Sequence, residues 1–213
     1  DGHDERRADQ AQLLADDGED AVVVLLGQEE ELLPALAETE AEQAARADGN
    51  QALAQLGLIV IHIGYRGGSM FRGKNFYNFG YGNLRDYPLA DCKFAIEQLA
   101  DRYAYIDRDR VGIYGHSGGG MMAAAAILTY PDFFKVAVAA SGNYDNNIYT
   151  KWWGEMYHGV KMKVKKDADG IKKYIFESKI PTIMELAANL KGKLLLVTGD
   201  MDINVHPANT FRL

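Results

Sequence analysis

Short apolar runs alternate with longer amphipathic or polar stretches along this chain. Five runs of four to seven residues are rich in Val, Ile, Leu and Ala, which is typical of buried β-strands. They lie at 21–26, 58–63, 111–114, 134–140 and 193–197. Since strands that alternate with helices usually pair in parallel, the pattern predicts an α/β fold with a mostly parallel sheet and helices on both faces.

The segments between these runs carry weaker signals. Residues 84–103 have apolar side chains spaced by three or four, which predicts an amphipathic helix. High Ala, Glu and Leu content predicts a helix over 29–47, and one or two further turns over 51–56 follow a break at 48–50. Pro181 and His206-Pro207 predict two late helix starts. Three segments are interpreted as loops or exposed excursions: 67–82, 141–158 and 161–173.

A Gly-x-Ser-x-Gly pattern follows the third run, at Gly115, Ser117 and Gly119. A small-residue helix to about Thr129 comes next, so the pattern stands between a strand and a helix, as a nucleophile elbow requires. The glycines let strand and helix approach closely. Such a turn would raise the Ser117 hydroxyl and aim the Gly118 N–H at a developing oxyanion. The alternative is a glycine-rich turn with no chemical role.

Two carboxylates, Asp200 and Asp202, follow the fifth run. Sites in parallel sheets form at the carboxyl ends of strands. We therefore expect Ser117 and Asp202 at the same edge of the sheet, with room for one imidazole between them. The chain order Ser, then Asp, is that of an α/β-hydrolase. The carboxylate pair could also serve metal chemistry, but a strand-end turn explains it, and we predict no metal and no cofactor.

Composition limits the class of protein. The 213 residues are 47% hydrophobic and 25% charged, enough for one globular domain, and the net charge of -7 argues against a nucleic-acid partner. No apolar run reaches the roughly 18 residues of a membrane span. We expect no signal peptide, since no basic region precedes an apolar one. The single cysteine, Cys92, excludes an internal disulfide and is predicted to be buried on a helix.

Charge divides the chain near residue 50. Residues 1–50 hold 15 of the 30 acidic and 3 of the 23 basic residues, and they contain no Lys, Phe, Tyr or Trp. All 22 aromatic residues lie from Tyr65 onward. We interpret 1–50 as an atypical part of the domain: a divergent edge, an engineered segment, an uncertainly assigned sequence or a plain solvated edge. We expect 21–26 to join the sheet and much of 29–50 to be exposed.

Four ordered motifs stand at 65–68, 107–110, 114–120 and 199–205. Together they resemble the catalytic domain of the prolyl oligopeptidase family over about 51–213. Asn143-Tyr144-Asp145 and Trp152-Trp153-Gly154-Glu155 are similar to its dipeptidyl-peptidase-IV-like branch. The resemblance implies an α/β-hydrolase fold in which Ser117 is the nucleophile. It also implies that Asp202, as the Asp of Asp-x-x-Val, is the acid.

The resemblance carries further expectations. It implies a serine peptidase that cleaves short peptides through an acyl-enzyme, with a β-propeller elsewhere in a larger parent protein. It favours a periplasmic or extracytoplasmic location and leaves a homodimer open. The family histidine lies a few tens of residues after the acid, so we expect the base, and a final strand, after Leu213.

The chain departs from the family at two catalytic positions. A second oxyanion donor, a tyrosine after an early strand, is replaced by Leu25-Leu26-Gly27. None of the five histidines is a good substitute for the base. His3 lies in the polar terminus, His62 inside a strand as a core residue, His116 beside the serine but directed away, His158 in a loop, and His206 at a helix start. We therefore expect this chain alone to be almost inactive.

The sequence thus predicts an incomplete α/β-hydrolase core at 51–213, preceded by the atypical residues 1–50. Two alternatives to the peptidase stay open: a non-catalytic hydrolase-like module that binds a peptide or partner, and an esterase or acyl transferase on the same elbow. Trp152, Trp153 and Tyr157 could line a substrate pocket or pack as core or lid. The basic residues of 161–173 form a solvated surface or bind a partner.

Overall fold

The computed structural model describes residues 22–26, 49–68, 70–177 and 179–213. The strands in these ranges are β1 (Val22–Leu26), β2 (Leu58–Ile61), β3 (Val111–His116), β4 (Phe134–Ala140), β5 (Lys161–Lys166), β6 (Lys172–Glu177) and β7 (Lys193–Val197). The α-helices are α1 (Gly49–Gln55), α2 (Lys74–Tyr77), α3 (Leu89–Arg102), α4 (Gly118–Thr129), α5 (Lys151–His158) and α6 (Ala208–Arg212). Short 3-10 helices cover Met70–Arg72, Asn78–Gly80 and Met184–Asn189.

Five strands form one sheet in the order β2-β1-β3-β4-β7. The β3–β4 and β4–β7 pairs are parallel, while β1 is antiparallel to both β2 and β3. Four of the five strands therefore run in one direction, and the predicted, mostly parallel sheet is confirmed. All five predicted strands join this sheet.

Strand β1 is the exception in direction. Val22 pairs with Tyr114 and Leu25 pairs with Val111, so β1 runs against β3. Its end at Leu26 therefore lies at the sheet edge opposite to Ser117, which follows the other end of β3. An apolar run that is buried in a sheet carries no signal for its direction, because alternation and composition are the same in both senses. The sequence could predict that this strand exists but not which way it runs.

Helix α4 forms the centre of the core. Eleven of its twelve residues, Gly118 to Leu128, are buried, and most of them are Gly or Ala. Small side chains let the helix axis lie close to β3 and β4: a Cβ on Gly120 would stand 2.4 Å from the Ala140 carbonyl oxygen. Helix α3 adds the apolar face that its spacing predicts, with Leu89, Cys92 and Ile96 buried. The predicted burial of Cys92 is confirmed.

The structure corrects several predicted elements. The supposed loop 141–158 ends in helix α5, and the excursion 161–173 belongs to a hairpin in which β5 and β6 pair antiparallel. The helix predicted from Pro181 is the 3-10 segment Met184–Asn189. The predicted break at 48–50 is where α1 begins. The predictions for 1–20 and for the helix over 29–47 lie outside the described residues.

The β5–β6 hairpin and helix α5 were missed for different reasons. All residues of β5 and β6 are exposed, so their apolar side chains are too few to give a buried-strand pattern. Helix α5 has eight residues, only two turns, and such a length gives little periodicity to recognise.

In the described part of the chain, no helix combines the length and the apolar character needed to cross a lipid bilayer.

Candidate active site

Ser117 occupies a sharp turn between β3 and α4. Its backbone has φ 57° and ψ -121°, a region that residues with a side chain rarely adopt. Two hydrogen bonds hold it there: the Ser117 N–H donates to the Ala140 carbonyl at 2.9 Å, and the Ser117 carbonyl accepts from the Met121 N–H at 3.0 Å. Strained backbone of this kind persists only where the surroundings fix it, and it is typical of functional sites.

The glycine two residues before the serine allows this turn. A Cβ on Gly115 would lie 2.3 Å from the carbonyl carbon and oxygen of Gly119, closer than any real contact. Strand and helix therefore touch through their backbones at these positions. Gly118 begins α4 and is buried directly after the serine. The first N–H groups of a helix have no partner within it, so they can receive negative charge.

Asp202 lies in the loop that follows β7, residues 198–205, which is called the acid loop below. Its Oδ1 accepts hydrogen bonds from the N–H groups of Asn204 and Val205, both at 2.9 Å. The pKa of Asp202 is lowered from its ordinary value first by the Val205 N–H, then by the Asn204 N–H, with smaller help from the Ser141 hydroxyl and the nearby His116. The carboxylate is therefore ionised at neutral pH and fixed in orientation. Its neighbour Asp200 is exposed.

Ser117 and Asp202 follow strands that end at the same edge of the sheet, which is the edge that the sequence predicted. β3 and β7 both run parallel to β4, so the residues that follow them leave the sheet at the same side. The end of β4 lies between them and contacts both. Ala140 accepts the Ser117 N–H at 2.9 Å, and the next residue, Ser141, donates its N–H to the carbonyl of Val197, the last residue of β7, at 2.8 Å.

Ser141 is a site residue that the sequence analysis missed. It is buried and, like Ser117, has a positive φ, 45°. The sign that could have found it is its position: it directly follows a predicted strand that neighbours the elbow strand, at the carboxyl end. Its hydroxyl helps slightly to lower the pKa of Asp202, so Ser141 belongs to the surroundings of this carboxylate.

The structure assigns other contacts to the histidines that it describes. Nδ1 of His158 accepts the Leu84 N–H at 3.3 Å, and Nδ1 of His206 accepts the Ala208 N–H at 3.1 Å at the start of α6, as predicted for a helix start. His62 is exposed just after β2 and binds the Asn50 amide at 2.7 Å, so its prediction as a core strand residue is wrong. His158 ends helix α5 and is not in a loop.

His116 is exposed and directly precedes Ser117. It makes a small electrostatic contribution that helps to lower the pKa of Asp202, after the Val205 and Asn204 N–H groups. That its side chain is directed away from the serine hydroxyl stays a prediction.

The aromatic residues of 149–157 form a row beside the acid loop. The Tyr149 hydroxyl donates to Oδ1 of Asn204 at 3.0 Å. The rings of Tyr149 and Trp153 lie 5.6 Å apart, and those of Trp153 and Tyr157 lie 4.9 Å apart, distances at which aromatic pairs attract. The sequence analysis left pocket lining or packing open for both tryptophans. Trp153 is buried and Trp152 is exposed, so the two differ in their surroundings.

Among the residues that the structure describes, no group of three or more His, Cys, Asp or Glu side chains is arranged to hold a metal ion. The chemistry that the described site offers is instead that of a strained serine, a helix N-terminus and an ionised aspartate at one sheet edge. This arrangement, on a mostly parallel sheet, is that of the α/β-hydrolase fold.

Comparison with known proteins gives the family. Residues 46–213 match the prolyl oligopeptidase family, and the chain belongs to it. Human dipeptidyl peptidase 8 is 32% identical over 158 residues, which cover 74% of this chain and 17% of that protein. Mouse prolyl endopeptidase FAP is 26% identical over 158 residues, 74% of this chain and 19% of that protein.

A solved structure agrees with these relatives. Porphyromonas gingivalis dipeptidyl peptidase 4 has 27% sequence identity and a TM-score of 0.61, over 75% of this chain and 21% of that one. The chain thus spans about a fifth of the length of the relatives that it matches. The fold and the serine peptidase family inferred from the motifs are confirmed.

One prediction concerns His158. Burial first, and then the charge of Lys161, lowers the pKa of His158 below its ordinary value. The folded protein therefore prefers the neutral ring, whose Nδ1 can accept the Leu84 N–H. Its stabilising contribution is complete above the unfolded pKa of about 6.5 and is lost as the pH falls through the lowered folded pKa. The free energy of unfolding should decrease over this range.

Urea denaturation of the wild type and of His158→Gln at several pH values between about 5 and 7.5 measures this effect. The variant should be less stable at neutral pH and should show a smaller decrease on acidification. An equal decrease in both proteins would show that His158 does not contribute to the pH dependence.

Proposed function

We propose that this chain is the catalytic part of a longer serine peptidase that hydrolyses short peptides through an acyl-enzyme. The observation that carries the proposal is the pairing of a strained Ser117 turn with an ionised, doubly hydrogen-bonded Asp202 at the same sheet edge. A glycine-rich turn without chemistry would not require a serine at φ 57°.

Each residue has a role in the proposed reaction. The Ser117 Oγ attacks the carbonyl carbon of the scissile peptide bond while an imidazole accepts its proton. The Gly118 N–H stabilises the oxyanion that forms. The C–N bond then breaks as the imidazolium gives the proton to the leaving amine. Water, which gives a proton to the imidazole, then attacks the carbonyl carbon of the Ser117 ester. The bond between that carbon and Oγ breaks, and Oγ takes the proton back from the imidazolium. Asp202 holds the imidazole in orientation and stabilises its charged form.

We place the imidazole in the parent protein, on a segment after Leu213, because the contacts of His62, His158 and His206 direct their rings elsewhere. The second oxyanion donor is also to be sought outside 22–26, since β1 ends at the far edge of the sheet. The small share of the relatives' length that this chain covers is consistent with a larger parent protein. We propose that the parent protein carries the further catalytic parts and a β-propeller, and that it forms a homodimer.

The relatives suggest the kind of cleavage. Two of those named above are dipeptidyl peptidases and one is a prolyl endopeptidase. We propose removal of dipeptides from peptide amino termini as the activity of the parent protein. The second candidate is a hydrolase-like module that binds peptides without cleaving them. It is favoured by the hydrogen bonds of His62, His158 and His206, whose partners are residues other than Ser117.

A fluorophosphonate probe and a chromogenic dipeptide substrate test the proposal. The parent protein should become labelled at Ser117 and should release the chromophore, and Ser117→Ala should abolish both. This chain alone should show little turnover, because a serine hydroxyl without a base is a poor nucleophile. Efficient turnover by this chain would place the base within it. An unlabelled, inactive parent protein would favour the binding module.

A further inference from the structure

A pocket lined by aromatic side chains lies between the 67–82 loop and helix α5. Its volume is about 180 Å³. The side chains that line it are those of Tyr77, Asn78, Tyr81, Tyr87, Met156 and Tyr157, and none of them carries a charge at neutral pH. An apolar cavity of roughly 150 Å³ can hold a benzene molecule. This aromatic pocket therefore has the size and the chemistry to hold one aromatic ring.

Backbone contacts fix the walls of the aromatic pocket. The Tyr87 ring lies against two glycines: a Cβ on Gly67 or Gly80 would stand 2.6 or 2.3 Å from it. The Tyr81 ring lies in the same way against Gly159, where a Cβ would stand 2.6 Å from the hydroxyl oxygen. Any larger residue at these three positions would displace a ring. The rings thus have a set position before any ligand binds.

Hydrogen bonds join the loop to the helix at the side of the pocket. The Gly82 N–H donates to the Tyr157 carbonyl at 3.4 Å, and the Leu84 N–H donates to His158 at 3.3 Å. The start of the loop is anchored separately, since Arg66 binds the Asp91 carboxylate and lies over the Phe79 ring. A site whose walls are fixed in advance loses little conformational entropy on binding.

The aromatic pocket is connected to the acid loop. Tyr157 lines the pocket, contacts Trp153, and through it Tyr149, whose hydroxyl binds Asn204. The two ring-to-ring steps measure 4.9 and 5.6 Å. Contacts between side chains therefore link the aromatic pocket to Asn204, on the loop that carries Asp202.

We propose that the aromatic pocket is a distal subsite that takes an aromatic side chain of the peptide substrate. The identity of the peptide as substrate rests on the proposed function; the binding preference does not. A cationic side chain would also be attracted to ring faces. Here it would lose its hydration without a carboxylate to compensate, because no acidic residue lines the pocket. The pocket should therefore prefer Phe to Lys.

A binding experiment tests the subsite without requiring catalysis. The Ser117→Ala form of this chain is titrated with fluorescein-labelled hexapeptides of alanine and serine in which a single Phe moves through the positions. One position of Phe should bind at least about tenfold more tightly than the peptide without Phe. Replacing that Phe with Lys should remove the gain.

Matched variants locate the effect. Met156→Ala and Tyr77→Ala alter the pocket and should reduce the Phe preference to less than about threefold. Trp152→Ala changes a residue of the same helix, and Phe71→Ala changes a residue of the same 67–82 loop. Both side chains are exposed, at 61% and 76%, and neither lines the pocket. These controls should keep the full preference. Circular dichroism checks that each variant is folded.

The outcomes separate the two proposals. Equal affinity for all peptides, a preference for Lys, or a Phe preference that survives both pocket variants would overturn the subsite. A Phe preference that depends on the pocket, together with a parent protein that does not hydrolyse peptides, would keep the pocket as a peptide-binding site and refute the peptidase. Hydrolysis of peptides by the parent protein, without a Phe preference that depends on the pocket, would keep the peptidase and refute the subsite.

Discussion

Replacing Asp202 with asparagine in the parent protein should lower kcat for dipeptide release by about 10⁴-fold, the loss that this change causes in a serine protease triad. The side-chain amide keeps an oxygen for the Asn204 and Val205 N–H groups, so the loop should stay in place. What is lost is the negative charge that stabilises the imidazolium and selects its tautomer. KM should change little, since Asp202 does not hold the substrate.

Asp200 supplies the matched control. It stands two residues before Asp202 on the same loop and is exposed. Asp200→Asn should keep kcat within about threefold of the wild type, because surface carboxylates contribute little to fixed geometry. Steady-state kinetics on both purified variants makes the comparison. Similar losses in the two, or full activity in Asp202→Asn, would remove Asp202 from the proposed mechanism.

The second large effect concerns the stability of the fold. Gly115→Ala should lower the free energy of unfolding by about 3 kcal/mol or more, because its Cβ would overlap the backbone of Gly119 at 2.3 Å. The atoms in the way belong to the backbone of Gly119 and not to the flexible end of a side chain, so strand β3 and helix α4 must move apart. Urea denaturation measures the loss, and a variant that does not fold would give no soluble protein.

Gly64→Ala serves as the control for this change. Gly64 is exposed after β2, and nothing lies within 4 Å of the position that its Cβ would take. Its stability should stay within about 1 kcal/mol of the wild type, or increase slightly, because alanine restricts the unfolded chain. A small loss in Gly115→Ala would mean that the elbow tolerates more space between strand and helix than the structure indicates.

Local patterns explain why the elbow was predictable. The pattern formed by Gly115, Ser117 and Gly119 spans five residues. One short stretch therefore encodes both the candidate nucleophile and the turn that it requires. Asp202 was found through the family motif and through the rule that parallel strands end at one edge. The aromatic row from Tyr149 to Tyr157 was recognised as a candidate surface, but its division into buried Trp153 and exposed Trp152 depends on the position of a short helix.

Other parts of the site depend on contacts between distant segments. Ser141 lies near the loop that carries Asp202 only because β4 lies between β3 and β7, an order that no single stretch encodes. The aromatic pocket is formed by residues near 80 and near 157, which neither stretch reveals alone. The direction of β1 is likewise set by its neighbours. Sequence patterns specify what each element is, whereas pairing and packing specify what it meets.

The end of β4 gives the Ser117 turn and the Asp202 loop a common support. Ala140 accepts the Ser117 N–H, and the next residue, Ser141, donates its N–H to Val197, where β7 ends and the Asp202 loop begins. Thermal displacement of this strand end therefore moves Ser117 and Asp202 together, and their separation changes less than their distance to any group held by another segment. In the proposed mechanism, the alignment most easily lost is that of the base with these two residues.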